Sequence, residues 1–419
     1  MNAIFILCAV LEVLLQKVYL SEAQVNNVNR KHATQMKFPP DDIEPWLNPS
    51  DGVLATEKTP VYIVREDPNN VDNFVSTKLN RAMKEALAYL RQHKSFALSH
   101  QAQFVNVNQN PDDINRGSTK LPPIQMASSY PTIIYPRIIV IVDNELFKNV
   151  GYDIREIILY TLAYWNGVDL LFRNIESPKI RINIPAILIV ECPTFYPKFH
   201  FAPDKIHGGD LMSQARRLLN DNHFPIDSYD MIALLISNEL YTDTEWVAGL
   251  AGLGKPLSCV VRDWGHFMSI RVMAHEVGHL LGIDHDGTQN TKCPESDYAI
   301  MAVSGYIGPK FFEWSNCSLD QLTEELENKN LYNKIDVQGA AVPRILPGKL
   351  TDLDEQCIRR SGNNTKAMNE EGNCKTLTCQ AKPGNVDPNY KRTWELGPID
   401  GSYCGQGKIC LLRKCVKIS

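Results

Sequence analysis

The spacing of apolar residues changes from one stretch of this chain to the next, and the changes mark out elements. Residues 138–142 (Ile-Ile-Val-Ile-Val) form an unbroken apolar run, the pattern of a strand buried on both faces. Residues 152–173 carry Ile154, Ile157, Ile158, Leu162, Trp165, Val168 and Leu171 at helical spacing. Lys179–Ile184 alternates strictly, and Ala186–Val190 continues it as a second strand. The pattern then predicts a helix over 210–220, a buried strand at Met231–Ile236, a small-residue edge strand within Val247–Gly254 and a further strand at Ser258–Val261. A helix over 267–281 follows, with Ile270, Met273, Val277 and Leu281 on its apolar side, and a last helix over 319–329 with Ser318 as N-cap. Strand and helix alternate, so an α/β domain with a mostly parallel sheet and covering helices is expected from about 136 to 340. Ahead of it, residues 60–64 read as a strand. Residues 74–91 read as an amphipathic helix (Val75, Leu79, Met83, Leu87, Leu90), and residues 105–136 as a Pro-rich linker.

Composition narrows the class. A 44% hydrophobic content is that of a globular chain, and a net charge of -5 over 419 residues argues against a nucleic-acid partner. Residues 4–15 are a short apolar run followed by Ser21 and Ala23, which reads as a signal peptide over residues 1–23. The run is shorter than the ~20 residues a membrane span needs. Cys8 falls within it, and ten cysteines remain, six of them in the last 63 residues. That count and clustering predict disulfides in an oxidising, extracellular setting and a small Cys-rich module over 341–419. Asn363-Asn364-Thr365 is a glycosylation candidate at Asn363.

The chemistry concentrates at residues 275–286, which read H-E-x-x-H-x-x-G-x-x-H-D. His275 and His279 lie one turn apart on one helix face. Gly282 can end the helix in a left-handed conformation, and the chain then brings back His285. Three neutral imidazoles suit one Zn²⁺ and leave its fourth position to water. Glu276 follows the first histidine and is the natural general base.

This pattern, with Met301 downstream, resembles the metzincin metallopeptidases. Asp286 directly after the third histidine is similar to the adamalysin (reprolysin) branch. So are Ala251-Gly252-Leu253-Gly254 with Cys259, Cys293 before Met301, and Trp314-Ser315-Asn316-Cys317-Ser318 after it. The tail from Asp400 to Val416 resembles the end of an ADAM-TS disintegrin-like module. The short architecture, with Tyr164-Trp165-Asn166-Gly167-Val168-Asp169, resembles the secreted metalloproteases of tick saliva. The resemblance implies a metzincin catalytic domain over 136–340, with a mixed, mostly parallel five-stranded sheet and zinc in the cleft. An extended substrate would add beside the edge strand, and Val303–Pro309 would wall the pocket for its primed side. Met301 would floor the zinc ligands, and Asp286 would fix the turn that carries His285. It also implies disulfides Cys293–Cys317 and Cys192–Cys259, and raises a structural Ca²⁺ with Asp143 as a contributor.

The order of segments makes residues 24–135 a propeptide and linker, with a permanent N-terminal domain as the alternative. Residues 24–130 hold no cysteine that could cap the zinc as a thiolate, and no Arg-x-Lys/Arg-Arg site precedes the catalytic domain. The expected function is a secreted, monomeric zinc endopeptidase acting on extracellular proteins, with matrix or fibrin(ogen)-like host proteins as the suspected substrates. Zinc-activated water and Glu276 as base would carry the hydrolysis. The alternative is a Cys-rich adhesion or integrin antagonist whose protease domain is secondary. No Arg-Gly-Asp occurs in the tail, although its eleven Lys/Arg against eight Asp/Glu over 351–419 leave it mildly basic.

Overall fold

The computed structural model describes residues 34–35, 52, 54–93, 133–196, 206–287, 292–327, 339–368, 370–384 and 387–418. The expected signal peptide and the bulk of the expected linker lie outside these residues. The central feature is a seven-stranded sheet. In chain order its strands are β1 (Val61–Asp67), β2 (Asn70–Lys78), β3 (Ile138–Val142), β4 (Ile187–Val190), β5 (Met231–Ile236), β6 (Gly249–Gly252) and β7 (Leu257–Arg262). They lie side by side as β6-β7-β5-β3-β4-β1-β2. The four inner pairings are parallel, and β6 and β2 close the two edges antiparallel.

Five of the seven strands, β3 to β7, lie within residues 136–340, the range for which a mixed, mostly parallel five-stranded sheet was expected. The two extra strands come from the segment read as a propeptide. Val61–Val64 pair in register with Ile187–Val190, and β2 folds back over a Pro68-Asn69 turn. The same turn explains why a helix over 74–91 does not form. Asp67 Oδ1 accepts the Asn69 N–H and fixes an Asx turn, and in the strand that follows Phe74 is buried and Val75 exposed, on opposite faces. The helix, α1, begins only at Ala82 and runs to His93. The alternating segment at 179–184 is likewise shorter than its pattern, with a strand only at Lys179–Ile180. Further on, the Ile182 N–H is taken by the buried Asp169 carboxylate, and Asn183 bridges to Arg137.

Helix α2 (Ile154–Arg173) starts at Asp153, whose carboxylate accepts the N–H groups of Arg155 and Glu156. It packs with α1 and α4 (Ile270–Leu280) on one face of the sheet, while α3 (Gly208–Asp221) covers the other. Gly167 lets α2 and α4 cross closely: a Cβ there would lie 2.7 Å from Ile270 Cδ1. Helix α5 (Asn316–Glu327) begins earlier than the pattern suggested. Ser315 caps it, its Oγ accepting the Ser318 N–H at 3.0 Å, and Ser318 sits inside the helix.

The expected Cys192–Cys259 disulfide is absent, and both thiols are buried. Cys259 belongs to β7 and Cys192 follows β4, three strand spacings away across the sheet, about 14 Å, where a bridge needs Cα atoms within about 7 Å. They also point into different cores, Cys259 toward Met273 beneath α4 and Cys192 into the layer under α3.

After residue 347 the chain forms a disulfide-rich unit. Helix α6 (Leu353–Ser361) precedes two three-stranded sheets, β8-β9-β10 (Thr365–Ala367, Leu377–Ala381, Lys391–Trp394) and β11-β12-β13 (Tyr403–Gly405, Lys408–Leu411, Lys414–Lys417). The bridges Cys357–Cys379, Cys374–Cys410 and Cys404–Cys415 supply what a core of so few apolar residues cannot. Asn363 is exposed in the turn after α6.

One buried charge ties these parts together. Asp169, fully enclosed on α2, receives Arg173 Nε at 2.5 Å, Arg344 Nη1 at 2.6 Å and the Ile182 N–H at 2.8 Å. Burial works against its charge, but the Arg173 and Arg344 guanidinium groups outweigh it and hold the carboxyl below its ordinary pKa. Its contribution to stability is therefore complete at neutral pH and is lost only as pH falls through that lowered value. Asp169→Asn leaves buried arginines without their anion and should cost about 3–5 kcal/mol in urea unfolding at pH 7. An unchanged unfolding midpoint would contradict this.

Candidate metal centre

His275 and His279 project from α4 one turn apart, and His285 returns to them after the helix ends. Three features make that return possible. Gly282 adopts φ +91° and lies so close to α5 that a Cβ would come within 2.3 Å of Glu325 Cγ. The Gly282 and Ile283 N–H groups bond back to the His279 and Gly278 carbonyls. Asp286, buried beyond His285, donates its N–H to the Met301 carbonyl, and its carboxylate accepts Ser315 Oγ at 2.6 Å.

The three Nε2 atoms form a triangle with sides of 3.1, 3.1 and 3.0 Å. The opposite nitrogens are committed: His275 Nδ1 lies 2.8 Å from the Ile300 carbonyl, and His279 Nδ1 lies 2.7 Å from the Ile283 carbonyl. A carbonyl only accepts, so these Nδ1 atoms carry the protons and the Nε2 atoms face one another with lone pairs. Burial, reinforced by the neighbouring His279, pushes His275 down to about 3, and burial also lowers His279. The lone pairs of His275 and His279 Nε2, 3.1 Å apart, repel one another unless a cation lies between them. Tetrahedral Zn²⁺ at 2.0–2.1 Å from each nitrogen asks for about 3.3 Å between nitrogens, close to the triangle found. The residues fit the metal.

Glu276 sits beside this triangle, buried, its carboxyl pushed up to about 8 by that burial. Its neighbour across the cleft is Gly249, the first residue of edge strand β6. A Cβ on Gly249 would fall 2.6 Å from Glu276 Oε1. Beneath the helix, Met301 is fully buried, and Gly278 is the residue that admits it, since a Cβ there would lie 2.8 Å from Met301 Sδ. Arg271, one turn before His275, clamps the same floor through the Phe311 and Ala299 carbonyls. The Cys293–Cys317 bridge joins the loop before Met301 to α5. Of the Val303–Pro309 segment, Val303 and Tyr306 are exposed.

Of the residues singled out from the sequence, the structure brings together the three histidines, Glu276, Gly282, Asp286 and Met301, and it bonds Cys293 to Cys317. Sequence reasoning missed Gly249 as the neighbour of Glu276, and also Gly278, Arg271 and Ser315. A glycine inside a helix, which costs ~1 kcal/mol relative to alanine, was the available signal for Gly278. Asp143 is already engaged: its carboxylate accepts the Leu146 and Ser237 N–H groups and the Tyr196 hydroxyl. Among the described residues, the clusters of three or more ligand-type side chains are the histidine triad and Cys374, Cys404 and Cys415, and those cysteines are in disulfides.

A sheet with an antiparallel edge strand over a three-histidine helix defines a metzincin-type zinc metalloprotease domain. Residues 135–333 match the reprolysin (M12B) family zinc metalloprotease, and residues 347–416 match ADAMTS cysteine-rich domain 2. "A disintegrin and metalloproteinase with thrombospondin motifs like" of Bombyx mori is 30% identical over 318 residues, covering 68% of this chain and 45% of that protein. "Venom metalloproteinase 3" of Eulophus pennicornis is 30% identical over 195 residues, covering 44% of this chain and 48% of that one. "A disintegrin and metalloproteinase with thrombospondin motifs 14" of Homo sapiens is 33% identical over 290 residues, covering 67% of this chain and 23% of that one. The chain spans about half the length of the first two relatives and less of the third. Through its protease domain the chain belongs to the reprolysin family of zinc metalloproteases, with an ADAMTS-type cysteine-rich domain after it.

Gly249→Val should displace Glu276 and lower kcat by about 10²-fold, with zinc content unchanged. Wild-type kcat in that variant would show that the contact is unimportant.

Proposed function

We propose that the chain is a secreted zinc endopeptidase that hydrolyses peptide bonds of extracellular proteins, with Glu276 as general base. The observation that carries this reading is the convergence of three imidazole Nε2 atoms beside a buried carboxyl, next to an edge of β6 that is unpaired among the described residues. His275, His279 and His285 would hold the metal. A bound Zn²⁺ supplies Lewis-acid polarisation of the scissile carbonyl and acidifies the attacking water. Glu276, raised by burial into the range where a carboxyl both accepts and returns a proton, takes the proton from water and hands it to the leaving amine. Strand β6 is hydrogen-bonded to β7 on one side, and its other edge can receive an extended substrate strand. Gly249, without a side chain, keeps that approach open above Glu276.

The four disulfides fit an oxidising compartment, and among the described residues no helix is long and apolar enough to cross a membrane. Matrix and fibrin(ogen)-like proteins are the substrate class we assign. Glu276→Gln should retain one zinc per chain and lose at least 10²-fold in casein or gelatin cleavage. Activity at the wild-type level, or activity insensitive to chelators, would overturn the assignment.

A further inference from the structure

We propose that Leu253 sets substrate preference on the N-terminal side of the cut: it selects an apolar side chain three or four residues before the scissile bond. The proposal rests on the zinc endopeptidase reading, and adds to it a residue that reads the sequence being cleaved.

The two faces of β6 can be told apart residue by residue. Leu250 packs into the core under α3, and a Cβ on Gly252 would lie 3.1 Å from Met212 Cε of that helix. Gly249 and Ala251 face the other way. A Cβ on Gly249 would meet Glu276 and Val272 of α4, and Ala251 packs against the core beneath the zinc helix. The alternation continues past the end of the strand, because a Cβ on Gly254 would lie 3.3 Å from Arg216 Nη2 of α3. Leu253 is therefore on the face of Glu276 and the zinc helix, with Gly249 and Ala251. There it is 70% exposed.

Single exposed leucines are common on protein surfaces. Leu253 differs in two respects. Its loop is fixed: Arg216 donates Nε to the Pro256 carbonyl at 3.1 Å and Nη2 to Ser258 Oγ, and Ser258 is fully buried. A large apolar side chain is thus held in water on an anchored backbone, with most of its surface uncovered. It also lies in line with the reacting groups, on the strand whose other edge is unpaired among the described residues.

A substrate strand added antiparallel along that edge sets its side chains beside those of β6, alternating between the same two faces. Gly249 marks the level of Glu276 and so of the bond being cut. Leu253 lies four residues further along, about 13 Å in an extended chain. The substrate runs the opposite way, so the residue that reaches Leu253 precedes the cut bond by three or four. Ala251, between the two, offers one methyl group, which leaves discrimination on this face to Leu253. An apolar side chain at that place covers the exposed leucine, whereas a charged one loses hydration and gains no partner.

The test cleaves a peptide library, varied on both sides of the cut, with the zinc-loaded full-length chain. The wild type should cut peptides with Leu three or four residues before the bond about tenfold faster in kcat/KM than those with Lys there. In Leu253→Asp the preference for Leu should vanish and Lys should be favoured by about threefold. Leu253→Ala should lose the preference for Leu without the gain for Lys. The same profile in the wild type and both variants overturns the proposal and leaves the peptidase reading standing, and so does a change confined to positions after the cut. A zinc-loaded wild type that cleaves no member of the library overturns both.

Discussion

Three imidazole nitrogens held within 3.1 Å of one another are the constraint on which the protease domain depends. Such an arrangement is unfavourable without a cation, so the scaffold must hold it. Each ring is fixed from behind or from the side: His275 by the Ile300 carbonyl, His279 by the Ile283 carbonyl, and the His285 turn by Asp286 and Ser315. The floor under the helix is equally constrained, with Met301 admitted by Gly278 and the adjoining loop clamped by Arg271 and by the Cys293–Cys317 bridge. These contacts pre-form the triangle, so binding free energy is not spent on collecting ligands.

The same helix is fixed to the rest of the fold through α2. Gly167 lets α2 and α4 touch, and two residues later Asp169 collects arginines from α2 and from the segment before the Cys-rich unit. The loop that starts α4 is organised around Asp263, which accepts bonds from Tyr160, Gly265, His266 and Ser269. Arg359 of the Cys-rich unit reaches the Gly265 carbonyl of this loop. A continuous set of bonded groups therefore runs from the Cys-rich unit and the N-terminal strands to the zinc helix.

What was legible in the sequence was whatever depends on local period. The runs at 138–142, 231–236 and 258–261 became buried strands because a strand covered on both faces must be apolar at every position. The histidine motif was legible because its spacing itself sets the geometry. What depends on a distant partner was not. Residues 74–78 fit a helical pattern, and the Asp67–Asn69 turn and pairing with β1 made them a strand. The Cys192–Cys259 pair was implied by the resemblance alone, and sequence does not tell which face of which strand a residue occupies. The partners of Gly249, Gly278 and Gly167 were not legible, since each is required by an atom from another element: Glu276 Oε1, Met301 Sδ and Ile270 Cδ1. The disulfide connectivity of the tail, one of fifteen for six cysteines, also needed the fold.

X-ray absorption at the zinc edge on the purified chain tests the central claim most directly. The account predicts one zinc per chain, with three nitrogen scatterers at about 2.0–2.1 Å and one oxygen. A sulfur shell near ~2.3 Å, or a protein that retains no zinc while folded, would contradict it.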